Sequence, residues 1–321
     1  MKRILVVGAG GQIGTELVPH LQNNYGKDNV IAADLKDAQV EKLRANGIAE
    51  KLDVTDAPAF VELVKKYKVD TIFNLVALLS ATGEKNPQLA WHLNMTALLN
   101  SLNIAKDNGC AVFTPSSIGA FGASTPHDDT PQDTVMRPNT IYGVCKVSGE
   151  LLSDYYFTRF GVDTRSVRFP GIISNGALPG GGTTDYAVEV FYRITEEGHH
   201  YTCEVPHDSY MDMMYMPDAL NAVTMLMEAD PSRLRHRNSF NIASMSFTPE
   251  QLFASIAKRI PDARFDYDID PVKAAIADSW PNKMDDSCAR QEWDWAPKWG
   301  MEEVIDDMLA AVQRKRQAGL I

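Results

Sequence analysis

The sequence is poor in cysteine. Cys110, Cys145, Cys203 and Cys288 are the only four in 321 residues. No two form a CxxC pair. That excludes a disulfide scaffold and a zinc ribbon, and it suits a reducing compartment in which each thiol is a small buried hydrophobe. Long hydrophobic runs are also missing. No stretch approaches the roughly 18 uninterrupted apolar residues of a membrane-spanning helix. The apolar segment 4–7 is too short for a secretory signal core. A cytoplasmic protein is expected, or a mitochondrial-matrix one if the source is a eukaryote. Basic charge is scarce: 31 Lys and Arg oppose 42 Asp and Glu, for a net charge of −11. Arg314-Lys315-Arg316 is the one basic cluster. Nucleic acid and anionic membranes are therefore not expected as partners. The seven histidines make no HExxH or comparable signature, so no metal is expected. The adjacent His199-His200 reads as a solvated pair in a polar turn.

What is present is an ordinary globular composition, 45% hydrophobic and 23% charged. The length suits two domains, or one large domain with a lobe. Residues 3–7, 30–34, 71–75, 111–115 and 163–168 read as strands. Each is a short apolar or β-branched run, as in a sheet buried on both faces. Amphipathic stretches at 12–24, 37–46, 58–67, 87–108 and 140–160 read as the intervening helices. Asp56 is placed to cap the third of them, with Pro58 in its first turn. Pro19 interrupts the first helix, where a kink is expected. This alternation predicts an α/β fold: a doubly wound parallel sheet of the Rossmann type, with right-handed crossovers and a smaller C-terminal substrate lobe. The dinucleotide-binding part is expected over residues 1–170 plus about 216–243. The lobe is expected over about 171–215 plus 244–321. In it, 185–197 and 301–317 read as helices and 264–269 as a strand. Residues 217–228 read as a helix and 238–243 as a strand returning to the main sheet.

Three glycines, Gly8, Gly11 and Gly14, lie where the first strand gives way to a helix. Glycine there permits a tight turn and close approach of a pyrophosphate to the helix N-terminus. Asp34 closes the second strand twenty residues later. A carboxylate there accepts the hydroxyls of an adenosine ribose and repels a 2′-phosphate, which argues for NAD over NADP. Asp53-Val54 follows the next strand, where this fold commonly meets an adenine. Tyr142 and Lys146 stand four apart, on one helix face. An ammonium beside a phenol favours the phenolate, and so a proton acceptor near neutral pH. Ser117 follows the fifth strand, at the sheet edge that faces the crevice. A Tyr/Lys pair alone is a common solvated helix face. The glycine turn, Asp34 and Ser117 together give it meaning.

With these residues in view, the sequence resembles the extended short-chain dehydrogenase/reductase family, the group of nucleotide-sugar epimerases and dehydratases, from residue 1 to about 245. Segments 115–122 (PSSIGAFG), 168–174 (RFPGIIS), 179–186 (PGGGTTDY) and 277–281 (ADSWP) are similar to the short-chain type of L-threonine 3-dehydrogenase within it. The resemblance implies NAD-dependent oxidation of L-threonine to 2-amino-3-ketobutyrate, a step of threonine catabolism, with no metal and in a homodimer. It implies catalysis by Ser117, Tyr142 and Lys146. It implies a cofactor site of Gly8, Gly11, Gln12, Ile13, Gly14, Asp34, Leu35, Asp53, Val54, Leu75, Ala77, Asn94, Tyr142, Lys146 and Pro170. Substrate contacts are expected from Ser80, on a loop facing the crevice, and from Ser117, Tyr142, Gly182, Thr183, Thr184 and Trp280. Two other readings stand beside it. One is a nucleotide-sugar epimerase or reductase of the same family, and the other a dinucleotide-binding sensor without chemistry. An intact Ser117, Tyr142 and Lys146 argue against the sensor. The methionine-rich run 211–216 reads as core packing at the lobe boundary, and Trp293, Trp295 and Trp299 as packing anchors for the last helix.

Overall fold

In the computed structural model the described residues are 1–176 and 182–321. The chain runs through β1 (Ile4–Val7), α1 (Gln12–Tyr25), β2 (Val30–Asp34), α2 (Asp37–Arg44), β3 (Ile48–Lys51), α3 (Ala57–Tyr67) and β4 (Thr71–Asn74). It continues through α4 (Ser80–Lys85), α5 (Pro87–Asn108), β5 (Ala111–Phe113), β6 (Ser116–Ser117), α6 (Ile141–Phe160), β7 (Thr164–Arg165), β8 (Val167–Phe169) and β9 (Gly171–Ile173). Then come α7 (Tyr186–Ile194), β10 (His200–Cys203), β11 (Met211–Tyr215), α8 (Met216–Glu228), β12 (Phe240–Asn241) and β13 (Met245–Phe247). The last elements are α9 (Pro249–Ala257), β14 (Arg264–Tyr267), α10 (Pro271–Ala277), α11 (Ser287–Trp293) and α12 (Met301–Gln317).

The central sheet is wholly parallel, in the order β3-β2-β1-β4-β5-β7. Its strands are apolar on both faces because helices cover both. Side chains alternate along a strand. Ile4, Val6, Val30 and Ala32 enter a core shared with α1 and α8. Leu5, Val7, Ile31 and Ala33 enter a second core shared with α3 and α5. This is the doubly wound arrangement expected from the sequence. Next to β5 and β7 in sequence, β6, β8 and β12 form a separate three-stranded parallel sheet in the order β12-β8-β6. The strand expected over 238–243 is shorter, Phe240–Asn241, and it pairs with β8 in this small sheet and not with the six-stranded one.

A further core gathers Tyr186, Phe191, Met211, Met213, Tyr215, Phe253, Ile305 and Met308 from α7, β11, α9 and α12. β11 separates this core from the one beneath the sheet. Met211 and Met213 face it, whereas Met214 and the adjacent Met216 face the sheet core. The methionine run is therefore packing at the boundary, as expected, and methionine's flexible thioether suits a strand clamped on both sides.

Several boundaries differ from the sequence reading. Segment 163–168 is two strands broken at Ser166. The loop expected around Ser80 is a short helix, α4. α1 runs continuously through Pro19. Asp56 does cap α3, its Oδ1 accepting from Ala59 N at 3.0 Å. Trp293 and Trp295 pack into the sheet core with Phe240, and not against α12. Only Trp299 joins the α12 side, edge-on to Tyr215 at 5.0 Å. His200 opens β10 and is exposed, beside Asp266 at 2.8 Å.

Candidate active site

The glycine turn sits at the C-terminal end of β1. Gly8 has φ +75°, and a Cβ there would lie 3.1 Å from Val76 N. A Cβ on Gly14 would lie 2.6–2.7 Å from the Ala9 backbone. Side chains are excluded at both points, so the turn stays tight and α1 presses close to β1. No side chain caps the first amides of α1, which leaves a helix N-terminus with donors to offer an anion. Gly8, Gly11, Gln12, Ile13, Gly14, Leu75 and Ala77 line one open cleft here, together with Lys36.

Asp34 closes the far end of that turn. Its Oδ2 accepts from Gly10 N at 2.9 Å and its Oδ1 from Lys36 N at 3.2 Å. Gly10 escaped the glycine reading, yet a Cβ there would meet Gln39 Cβ at 2.7 Å. Asp53 is held in a local turn, accepting both from Thr55 N at 2.9 Å and from Thr55 Oγ1 at 2.7 Å. Those two hydrogen bonds keep its carboxyl below the usual range. Leu35 is exposed, and Val54 is a core residue. Asn94 accepts from Leu78 N at 2.8 Å and lines a small pocket together with Ala77 and Lys146.

A second cleft adjoins the first and shares Gln12, Ile13, Leu75, Ala77 and Leu79 with it. Ser80, Ser117, Tyr142, Lys146, Pro170, Gly182, Thr183, Thr184 and Trp280 all line it. Every expected catalytic and substrate residue therefore faces one space. The rest of the expected glycine loop, Gly180 and Gly181, lies outside the described residues. α6 is set by Thr140, whose Oγ1 accepts from Gly143 N at 3.1 Å, and Tyr142 follows in its first turn. Lys146 Nζ lies 5.2 Å from the Tyr142 ring centroid and donates to Pro115 O at 2.6 Å. Ser117 Oγ accepts from Gly119 N at 3.1 Å. Gly119 matters for its absent side chain: a Cβ there would lie 3.2 Å from the Tyr142 ring and 3.4 Å from Ser117 Oγ.

Beneath these groups lies a buried ion pair, Glu150 with Arg168, at 2.8 Å and almost fully enclosed. Glu150 continues the Tyr142–Lys146 helix face by one more turn and also accepts from Ser116 Oγ. Arg168 donates further to Gln132 O at 2.8 Å and to Asn241 Oδ1 at 2.9 Å. Breaking one partner of such a pair typically costs about 3–5 kcal/mol. The pair fixes α6 against β6 and β8, and so holds Tyr142 and Lys146 opposite Ser117.

On the lobe side, Thr183 is buried, and its Oγ1 has no hydrogen-bond partner among the described residues. An unpaired buried hydroxyl at a cleft wall is unfavourable unless a ligand completes it. Trp280 is nearly buried, packed with Ile118, Phe121, Ile276 and Met284 while its surface lines the cleft. The segment after it is pinned by Asp212, whose Oδ2 accepts from Met284 N at 3.0 Å. Burial pushes the Asp212 carboxyl up to about 7. Sequence spacing did not single out Lys36, Gly119, Glu150 or Asp212. Their partners are distant along the chain, apart from Lys36, which stood two residues beyond Asp34.

Residues 4–243 match the NAD dependent epimerase/dehydratase family. This chain belongs to that family. A Staphylococcus haemolyticus protein described as an uncharacterized epimerase/dehydratase is 53% identical over 317 residues, 99% of each chain. Among solved structures, the L-threonine dehydrogenase of Clostridium difficile is 52% identical, with a TM-score of 0.96 over 98% of both chains. A monomeric L-threonine 3-dehydrogenase from a metagenome is 40% identical, with a TM-score of 0.93 over 97% of this chain and 99% of its own. These epimerase/dehydratase relatives span the whole chain, lobe included.

Proposed function

We propose that this chain is an oxidoreductase that converts L-threonine to 2-amino-3-ketobutyrate with NAD. The reading is carried by one observation: Ser117, Tyr142 and Lys146 share a cleft with Thr183, whose hydroxyl has no partner among the described residues, and that cleft adjoins the glycine turn. Residues 1–170 and about 216–243 form the dinucleotide part in this reading. Residues about 171–215 and 244–321 form the lobe that closes over substrate.

The turn fits a dinucleotide. Side chains are excluded where a pyrophosphate must approach, the α1 amides are uncapped, and Asp34 stands where an adenosine ribose presents its hydroxyls. When bound, the nicotinamide supplies a hydride acceptor; that chemistry belongs to the cofactor. The protein contributes position and proton handling. Ser117 and Tyr142 hold the threonine β-hydroxyl. Tyr142, as phenolate, takes its proton, and the Cβ–H bond breaks as the hydride leaves. With NAD bound, the overall change would balance as L-threonine and NAD⁺ to 2-amino-3-ketobutyrate, NADH and one proton. Lys146 Nζ lies over the phenol ring, 5.2 Å from its centroid, and would hold the ribose of the nicotinamide. Thr183 and Thr184 offer hydroxyl donors to the substrate carboxylate, with Ser80 across the cleft. Hydrogen bonds to a charged partner contribute about 1.5–3 kcal/mol each.

We also propose a homodimer, joined through α5 and α6. Leu89, Trp91 and Leu99 on α5, with Val144, Leu151 and Tyr155 on α6, are all exposed. Apolar faces on two neighbouring helices favour a second copy. Sedimentation at micromolar concentration checks this, and a monomer would refute it.

Tyr142→Phe tests the mechanism. It removes the proton acceptor and keeps the ring on Gly119. NAD should bind as before while turnover falls about 10²–10⁴-fold. Near-full activity would refute the assignment.

A further inference from the structure

At the opposite edge of the sheet from the cleft, His236, Cys288 and Glu292 converge. The cleft residues follow the C-terminal ends of β1, β4 and β6, whereas His236 stands four residues ahead of β12, at its N-terminal end. Cys288 and Glu292 are one turn apart on α11, on the same face. One ligand atom from each of the three lies within 4.8 Å of the others. The shallow pocket they share is open to solvent and is otherwise lined by Ser232, Arg233, Arg235 and Gln291.

We propose that His236, Cys288 and Glu292 form a site for a thiophilic divalent transition-metal ion of the zinc type. The donor set is one thiolate, one imidazole and one carboxylate. Such soft and borderline ligands select zinc or cobalt over magnesium or calcium. Three protein ligands leave a fourth position for water. A thiolate and a carboxylate together neutralise a divalent charge.

The surroundings orient each donor. Glu292 Oε2 accepts from Arg235 N at 2.5 Å and His236 N at 3.2 Å, so Oε1 turns toward His236. His236 Nδ1 meets that oxygen at 2.5 Å, and its Nε2 lies 3.4 Å from Asp133. A carboxylate behind the far nitrogen is the arrangement that fixes a metal-binding imidazole. Metal at Nδ1 would replace the shared proton. Arg233 is drawn aside by Asp294 at 2.6 Å. Burial, then Glu292, Asp285 and Asp133, raise the Cys288 thiol. The same carboxylates attract a cation, and binding would release the thiol proton. An ion here would tie α11 to the segment entering β12, where His236 already packs on Phe240 and Phe240 on Trp293.

Cobalt(II) titration of the metal-stripped, full-length protein tests the site. One equivalent per chain should raise a thiolate-to-cobalt charge-transfer band, and zinc should displace it. Cys288→Ser should abolish the band. Glu292→Gln and His236→Ala should each weaken cobalt binding at least about tenfold, in line with the loss of one ligand. Circular dichroism confirms that each variant is folded, and Glu292→Gln keeps the backbone contacts if His236→Ala does not fold. No band at millimolar cobalt, or a band that persists in folded Cys288→Ser, would overturn the assignment.

Discussion

Asp212 offers a prediction that reaches from the buried strand to the cleft wall. It is fully buried on β11, between the sheet core and the lobe core, and it holds Met284 N behind Trp280. Its carboxyl is pushed up to about 7, against 3.8 when exposed, chiefly by burial. The folded value is raised, so the group's contribution to stability is fully present below the unfolded value and is lost as pH rises toward 7. At about 1.36 kcal/mol per unit, the ionised form costs about 4 kcal/mol above neutrality. Between about pH 5 and about pH 8 the loss from this group alone is about 2–3 kcal/mol. Asp212→Asn keeps an oxygen for Met284 N and cannot ionise. In urea unfolding, the variant should exceed wild type by about 1–2 kcal/mol near pH 5 and by about 4 kcal/mol near pH 8, so that its advantage grows by about 2–3 kcal/mol between them. An equal difference at both pH values would refute the reasoning, because it would mean that Asp212 does not titrate between them.

Asp34→Ala removes the charge that repels a 2′-phosphate and leaves Lys36 in the same cleft. Like charges in a desolvated site cost several kcal/mol, so the preference for NAD over NADP in kcat/KM should fall about 10²-fold or more; an unchanged ratio would sink the role of Asp34. Thr183→Val keeps shape and deletes the unpaired hydroxyl. KM for threonine should rise about 10–100-fold with NAD binding unchanged, and thermal stability should not fall, since no hydrogen bond to another described residue is lost. Ser80→Ala should raise the same KM. Wild-type kinetics in both variants would put the amino-acid pocket elsewhere.

The parts of the fold that were legible in the sequence are those built from β-branched runs buried on two faces. β1, β2, β4 and β5 announce themselves that way, and α3 and α5 carry their own caps in Asp56 and Asn86. β9, β11 and β13 do not, because methionine, serine and glycine give no strand pattern and their pairing depends on the lobe. α4 read as a loop because its sequence, Ser-Ala-Thr-Gly-Glu-Lys, has no apolar periodicity. The Tyr142–Lys146 pair was legible because the two side chains meet at helix spacing. The Glu150–Arg168 pair, Asp212 with Met284, and His236 with Cys288 were not. Each joins residues far apart along the chain, and only the folded topology brings them together. The packing of the Val54 side chain into the core and the hydrogen bond from Leu78 N to Asn94 Oδ1 are likewise contacts that no spacing announces.

The central claim is that this cleft oxidises the β-hydroxyl of a small amino acid. It is tested most directly by following NADH formation with L-threonine, D-threonine, 2-butanol and a UDP-sugar in parallel. A site whose polar groups are matched to a zwitterion rejects analogues that leave them unpaired, by about 10⁴-fold or more. L-threonine should be turned over, D-threonine and 2-butanol hardly at all, and the UDP-sugar neither oxidised nor epimerised. Turnover of the UDP-sugar without threonine oxidation, or of 2-butanol as readily as threonine, would contradict the account.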